Sequence, residues 1–416
     1  MPFKKLGLTP QIIKSLEEKG YVTPTDIQEK VIPLVLENRD VIAQAQTGSG
    51  KSASFVLPVL QTWSQRRDNS KKGKIKVLVL TPTRELTLQI ATAFSEFGKY
   101  LPKKPKVVSL IGGEGIGDQL YDIQQGCDVL VATSGRFLDV LRKKQMNLSH
   151  LEHFILDEAD KMLDLGFLEE LDLVLESIPS TRQNLMFSAT YPEKVQNIAS
   201  KITTQAIQIK LEQEKPVVQS INQRVIEVSR ENRGPLLRHL LKEHKFNSVL
   251  VFMANKRATD NIAEKFRKYG LEAASFNGDL EQDVRNATLT AFKERKVKVL
   301  FATDIAARGL DIDDIDCIVN YDLPRSPADY IHRIGRTARA GKSGEAISFI
   351  DYETQEHFKL IEKRSDISLA RESIVGFELT GDAPQKVKGP QPVKGKKKSK
   401  KDKLREQKAL EESTNS

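Results

Sequence analysis

The sequence predicts an α/β protein with two parallel-sheet domains in tandem and a basic tail. Three observations predict it. Short apolar runs alternate with amphipathic helical patterns through most of the chain, as expected of strands joined by crossover helices. The pattern begins again after residue 220, beyond a polar, proline-containing stretch, "IKLEQEKPVVQS" (209–220). From residue 379 the composition shifts to Pro, Gly and Lys, with almost nothing to bury. These breaks place domain one at 1–209, a linker at 210–219, domain two at 220–378 and a disordered Lys-rich tail at 379–416.

The first domain reads in order as strands at "DVIAQA" (40–45), "KVLVLTP" (76–82), "DVLVAT" (128–133), "HFILDE" (153–158) and "QNLMFSAT" (183–190). Helical patterns lie between them, such as "PTRELTLQIATAFSEFGKYL" from Pro82. In the second domain "SVLVFMA", "AASFNG", "KVLFATD", "CIVNYD" and "EAISFI" read as strands. No repeat of solenoid period is visible in the sequence.

Bulk composition narrows the class. The 416 residues are 39% hydrophobic and 29% charged, enough to bury a core in each domain. Two cysteines, Cys127 and Cys317, exclude a disulfide framework and a cysteine zinc site, and they suit a reducing compartment. The start, "MPFKKLGLTPQ", lacks the apolar stretch of a secretion signal, and runs such as "VLVFMA" (249–254) are far short of a bilayer span. A soluble cytoplasmic protein is the expectation. Of the net charge of +9, residues 385–416 carry +7, so basicity is mainly a property of the tail.

"AQAQTGSGKS" follows the first strand, and its core, Ala45 to Ser52, matches the Walker A pattern with Ala45 in place of the first glycine. A glycine-rich turn is the plainer alternative, which the position between a strand and a helix disfavours. Gly48 and Gly50 would let backbone N–H groups close around phosphate oxygens, with Gln46, Thr47 and Ser49 completing the loop. Lys51 would reach the β and γ phosphates, and the Ser52 hydroxyl would ligate Mg²⁺. "FILDEAD" (154–160) ends a buried run in three carboxylates. A solvated loop could do that. The phosphate loop favours a metal and water site at the strand tip, where open α/β sheets place ligand chemistry. Asp157 would hold Mg²⁺ through water, and Glu158 would orient and deprotonate the attacking water.

With "DEAD" in place, the chain resembles the DEAD-box RNA helicases of superfamily two. "GYVTPTDIQ" (20–28), with Phe3 upstream, resembles the Q motif. "PTREL" (82–86), "GG" (112–113), "SAT" (188–190), "VFMANKR" (251–257), "ATDIAARGLDI" (302–312) and "HRIGRTARAG" (332–341) resemble further family motifs in the family's order. The likeness covers roughly residues 1–375, and the "ARAG" ending with the compact N-terminus is most similar to the bacterial RhlE-type branch.

The resemblance implies two RecA-like domains and an RNA-dependent ATPase of helicase type, with ATP and Mg²⁺ as cofactors. It implies that Gln28 reads the adenine edge and Phe3 stacks on the ring. It places Arg336 and Arg339 on the γ-phosphate as arginine fingers, and Asp311 near the ribose. Asp160, Ser188, Thr190 and His332 would couple the two domains. Implied RNA contacts, mostly to backbone, are Arg84, Gly113, Thr133, Gly135 and Arg136 in domain one. In domain two they are Gly278, Gln282, Arg285, Thr303 and Asp304. Such contacts position without specifying, so RNA, single-stranded or as a short duplex, is the expected partner irrespective of sequence, with ribonucleoprotein or RNA-processing partners besides. The site would be split between the domains and completed by closure.

The chain departs from the family pattern at three further places. Ser134 replaces proline in "TSGR", Asn277 stands where His is commoner, and Ser52 replaces Thr with the hydroxyl kept. Two functions follow: an ATP-dependent helicase separating short duplexes or remodelling ribonucleoproteins, or an ATP-gated RNA clamp that uses hydrolysis for release. A DNA translocase is disfavoured by the Q motif and "DEAD".

Overall fold

A computed structural model describes residues 2–45, 49–65, 74–164, 166–211, 221–307, 315–337 and 344–380. Most of the expected linker and tail lies outside the described residues.

Strands β1 (Val41–Gln44), β2 (Val77–Thr81), β3 (Val107–Leu110), β4 (Val129–Thr133), β5 (His153–Leu156), β6 (Gln183–Ser188) and β7 (Ile207–Lys210) form one sheet. Strands β8 (Ile221–Glu227), β9 (Val249–Met253), β10 (Ala273–Phe276), β11 (Val299–Thr303), β12 (Cys317–Asn320), β13 (Gly344–Ile350) and β14 (Arg371–Glu372) form the other. The orders are β3-β4-β2-β5-β6-β1-β7 and β10-β11-β9-β12-β13-β8-β14, and every pairing is parallel. Subtracting seven from each number of the second order gives the first. The lobes therefore repeat one winding, although no repeat is visible in the sequence.

The apolar runs read as strands because helices cover both sheet faces, so every position of a central strand is buried. Alternation then sends neighbours to opposite cores. Val77 and Val79 join a core with Phe55, Phe94 and Phe187, whereas Leu78 and Leu80 join Phe137, Phe154 and Met186. In the second lobe Val249 and Val251 face Phe266 and Phe301, while Leu250 and Phe252 face Phe276 and Tyr330.

The helix after β1 begins at Lys51, and the helix after β8 begins at Arg233. Arg233 is buried and donates to the Tyr321 carbonyl at 2.8 Å, to Asp322 at 2.9 Å and to Asp351 at 2.8 Å. Asp322 lies just beyond β12, the counterpart of β5, and Asp351 just beyond β13, the counterpart of β6.

Candidate functional site

The phosphate loop leaves β1 at its carboxyl end. Gln46, Thr47 and Gly48 lie outside the described residues. Gly50 has φ +91°, a conformation that L side chains rarely adopt. Lys51, the first residue of the helix Lys51–Gln65, is buried and donates from Nζ to the Ala45 carbonyl at 2.9 Å, bridging the two ends of the loop. Ser52 follows in the same first turn. The helix Asp26–Leu36 is fastened to this loop. Thr25 Oγ1 donates to the Ser49 carbonyl at 2.8 Å, and Gln28 Nε2 donates to the Gly50 carbonyl at 3.2 Å. Gln28 Oε1 accepts from Thr25 N at 3.0 Å. Each end of that amide keeps one hydrogen or lone pair for a further partner. Phe3 departs from its expected role. Its ring is 0% exposed in the first lobe's core and has no face open for stacking on a base.

The acidic strand end answers to its surroundings rather than to solvent. Asp157 and Glu158 are both buried. Asp157 N donates to the Leu80 carbonyl at 3.0 Å, and its Oδ1 accepts from Glu158 N at 2.9 Å. Glu158 has φ +54°, a left-handed conformation costing roughly 1–3 kcal/mol in a non-glycine residue and found where structure is held for function. Burial pushes the Asp157 carboxyl up to about 6, against the pull of Lys51 and with the help of Glu158. Burial also raises Glu158, but Lys161, Lys51 and Arg336 outweigh it and hold this carboxylate below its usual range. Lys161 Nζ donates to Glu158 Oε1 at 2.7 Å, whereas Oε2 is buried with no hydrogen-bond partner among the described residues.

Asp160, Ser188 and Thr190 form one network. Asp160 Oδ2 accepts from Thr190 N at 2.9 Å and Thr190 Oγ1 at 2.8 Å. Asp160 N donates to Ser188 Oγ at 3.2 Å, and that hydroxyl donates to the Thr190 carbonyl at 2.7 Å. The second lobe meets it with the helix Pro327–Ile334, capped by Ser326 Oγ, which accepts from Asp329 N at 3.1 Å. Asp160, Lys161 and Thr190 line a cavity of about 220 Å³ together with Ser326, Asp329 and His332. Burial, with Lys161 adding and Asp160 opposing, lowers His332 to about 4, so its imidazole is neutral. Arg336 is buried and close enough to act electrostatically on Glu158 and Lys161. The structure thus brings Lys51, Asp157, Glu158, His332 and Arg336 together. Asp311 and Arg339 lie outside the described residues.

The expected RNA residues divide into two sets. Gly113, at φ +86°, packs on Arg84, whose Cζ would lie 2.9 Å from a Cβ there. Arg136 donates to the Glu114 carbonyl and to Gln119, each at 3.1 Å. Ser134 opens the helix Ser134–Arg142 at the position that tolerates proline, so the replacement keeps the helix start. Thr133 ends β4, and a Cβ on Gly135 would meet nothing within 4 Å. Gly278 lies by the Lys256 side chain, Gln282 donates to Asn286 at 3.1 Å, and Thr303 ends β11.

Two of the expected charged residues, Arg285 and Asp304, are engaged by protein groups. Arg285 Nε donates to Glu85 Oε1 at 2.7 Å across the lobes, with side chains only 5% and 9% exposed. Arg333 Nε donates to Asp304 Oδ1 and its Nη2 to Oδ2, each at 2.6 Å. Asn277, where His is commoner, fixes the start of the helix Lys256–Lys268 by donating to Asp260 at 2.8 Å.

Sequence reasoning missed Glu85, Lys161 and Arg333. Glu85 and Arg333 sat inside quoted motifs, "PTREL" and "HRIGR", but their partners lie far along the chain. Lys161 had a local signal, three residues after Glu158 on a helix start.

Magnesium takes oxygen ligands, keeps several waters and usually uses one or two carboxylates plus substrate phosphates. The Ser52 hydroxyl and the Asp157 carboxylate suit that demand. The raised Asp157 carboxyl and the orphaned Glu158 oxygen mark a place that fits a cation and its water. No helix among the described residues is long and apolar enough to cross a membrane.

A DEAD/DEAH box helicase family model matches residues 25–198, and a helicase conserved C-terminal domain model matches 233–341. The DEAD-box ATP-dependent RNA helicase CshA of Geobacillus kaustophilus is 38% identical over 348 residues, covering 84% of this chain and 73% of that protein. The ATP-dependent RNA helicase DeaD of Buchnera aphidicola is 38% identical over 373 residues, 89% of this chain and 60% of that one. S. cerevisiae Dbp5 bound to RNA and ADP BeF3 superposes with a TM-score of 0.77 at 33% identity, over 89% of this chain and 95% of that one.

Proposed function

This chain belongs to the DEAD-box ATP-dependent RNA helicases, and we propose that it separates short RNA duplexes by closing its two lobes on ATP and RNA. The carrying observation is the split constellation: Lys51, Asp157 and Glu158 from the first lobe stand against His332 and Arg336 from the second. RNA is the partner read from the family. Contacts to backbone, from Arg84, Arg136, Thr303, the turn glycines Gly113 and Gly278, and Gly135 in the first turn of its helix, make binding independent of sequence.

Lys51 leaves the Ala45 carbonyl for the β and γ phosphates, and the loop N–H groups close on phosphate oxygens. Ser52 and Asp157 would hold Mg²⁺, which would neutralise phosphate charge. Glu158 accepts a proton from the attacking water at Oε2. The water oxygen bonds to the γ-phosphorus as the bond to the β–γ bridging oxygen breaks. Arg336, joined by Arg339, stabilises the negative charge spread over the equatorial oxygens. Gln28 reads the adenine edge with its remaining hydrogen and lone pair, while Asp311 holds the ribose. Asp160, Ser188, Thr190 and His332 carry the state of this site between the lobes. A neutral His332 suits that place, since a second charge beside Lys161 would oppose closure.

We read domain one as 1–209, the linker as 210–219, domain two as 220–378 and the tail as 379–416, although the last strand of the first sheet, Ile207–Lys210, runs one residue past the first boundary. Two buried, unpaired thiols suit a reducing cytoplasm. The RhlE-type affiliation rests on the "ARAG" ending alone, whereas the relatives described above carry the names CshA and DeaD.

The test is strand displacement on a short tailed RNA duplex together with RNA-stimulated ATPase, for the natural protein and Glu158→Gln. The natural protein should do both, and Glu158→Gln should keep ATP binding and form a long-lived ATP–RNA complex. ATP hydrolysis without displacement would establish an RNA clamp instead. Stimulation by DNA equal to that by RNA would overturn the RNA assignment.

A further inference from the structure

We infer that Lys161 is a positioning residue for Glu158: its ammonium holds one carboxylate oxygen so that the other faces the attacking water. The inference rests on reading Glu158 as the base. Nothing in the family motifs quoted above assigns a role to this position.

Lys161 and Glu158 stand one helical turn apart, with side chains 7% and 5% exposed. Lys161 Nζ donates to Oε1 at 2.7 Å and leaves Oε2 buried, with no partner among the described residues. The backbone fixes the same turn. Lys161 N donates to the Glu158 carbonyl at 3.0 Å and to Asp160 Oδ1 at 3.2 Å, and Glu158 is held left-handed at φ +54°. This precision serves no packing need that an apolar residue could not meet, and a buried ion pair is weak evidence for stability.

Competition among cations gives Lys161 its task. Lys51 and Arg336 act on the same carboxylate, and both belong to the phosphate side of the site. Without a counterweight on its own turn, Glu158 would swing to them and form an ion pair where it should meet water. Lys161 also borders the 220 Å³ cavity whose far wall includes Ser326, Asp329 and His332. The aim of Glu158 is thus held by a side chain that itself touches the boundary between the lobes.

The experiment uses the full chain with Lys161→Met, Lys161→Arg, Glu158→Gln and the double variant Lys161→Met/Glu158→Gln. Saturated RNA-stimulated ATP turnover of Lys161→Met should fall about 10- to 100-fold, the scale of a misplacement near 1 Å. Its KM for ATP, and its affinity for the non-hydrolysable analogue AMP-PNP measured by direct binding, should stay within about twofold, since the phosphate loop is untouched. Lys161→Arg should recover at least about fivefold over Lys161→Met, because a guanidinium can still donate to Oε1. In the Glu158→Gln background, Lys161→Met should change turnover by less than about twofold, because its partner is already disabled.

Turnover of Lys161→Met within about twofold of the natural protein would overturn the inference. So would a parallel loss of AMP-PNP affinity, or an arginine variant no better than methionine. Should Lys161→Met fail to give a natural melting transition, Lys161→Leu, which likewise cannot donate to Oε1, is read by the same criteria. Vigorous hydrolysis by Glu158→Gln would instead remove the base assignment itself, a separate failure.

Discussion

Replacing Gly50 by alanine should disable ATP binding while leaving the fold of both lobes in place. At φ +91° an L residue is strained, by roughly 1–2 kcal/mol. The added Cβ would lie 2.7 Å from Thr25 Oγ1 and 3.2 Å from Gln28 Cδ, and closer still to Gln28 Nε2. Both side chains must retreat. That breaks the 3.2 Å bond from Gln28 to the Gly50 carbonyl and the 2.8 Å bond from Thr25 to the Ser49 carbonyl. Each is worth about 0.5–1.5 kcal/mol. The lower ends of these three costs together reach about 2 kcal/mol, which is roughly 30-fold in affinity. The cost falls on nucleotide binding because a loop free to relax without ATP must return to this conformation to wrap phosphate. Titrating a fluorescent ATP analogue into each variant reads it directly. Gly117→Ala is the control: a Cβ there meets nothing within 4 Å, so affinity should stay within about twofold. If Gly50→Ala folds normally and binds ATP within about threefold of the natural protein, the coupling of the Thr25–Gln28 turn to the phosphate loop is refuted.

Arg333→Lys should destabilise the second lobe by about 2–4 kcal/mol, because a lysine cannot hold both oxygens of Asp304 together with Asn320 and the Asp322 carbonyl. Its thermal transition should drop by on the order of 10 °C, and an unchanged melt would count against the network. For His332, burial lowers the folded value to about 4 from 6.5, so the unfolded chain binds the proton first as pH falls. The natural protein should therefore lose up to about 3 kcal/mol relative to His332→Gln between pH 6.5 and 4, and be unaffected above that window. Parallel denaturation curves for the two proteins across that range would show that His332 protonates as easily in the fold. Truncation after Leu379 should raise the RNA concentration needed to stimulate the ATPase and flatten its dependence on salt, since the basic tail binds phosphate by releasing counterions. Turnover at saturating RNA should be unchanged, and coincident curves for the two lengths would exclude a tether.

The central strands were legible because burial on both faces writes itself as an unbroken apolar run, as in β2, "VLVLT", or β9, "VLVFM". Several strands at or near the sheet edges were not, although the edge strand β10 was read from "AASFNG". β7, "IQIK", and β8, "INQRVIE", mix polar residues because water or thin cover lies on one side, and β14 is two residues long. The phosphate loop and "DEAD" were legible because their chemistry needs fixed local spacing. The partners of charged residues were not. Arg285 meets a glutamate 200 positions earlier, and Arg333 an aspartate 29 positions away, distances over which no local pattern extends. Phe3 was legible as an aromatic but not as a buried one, since enclosure depends on helices that pack around it.

The common winding of the two sheets makes the second lobe a counterpart of the first that carries its own cation. Arg233 opens the helix at the place where Lys51 opens it in the first lobe, and it is already neutralised by Asp322 and Asp351. A nucleotide arriving there would have to displace a buried arginine from two carboxylates. One nucleotide for two lobes is therefore the expected stoichiometry. The first lobe gains stability when its ligand binds, whereas the second is electrically complete before any ligand arrives. Heating with and without ATP analogue, in the absence of RNA, would move the first transition and leave the second where it was.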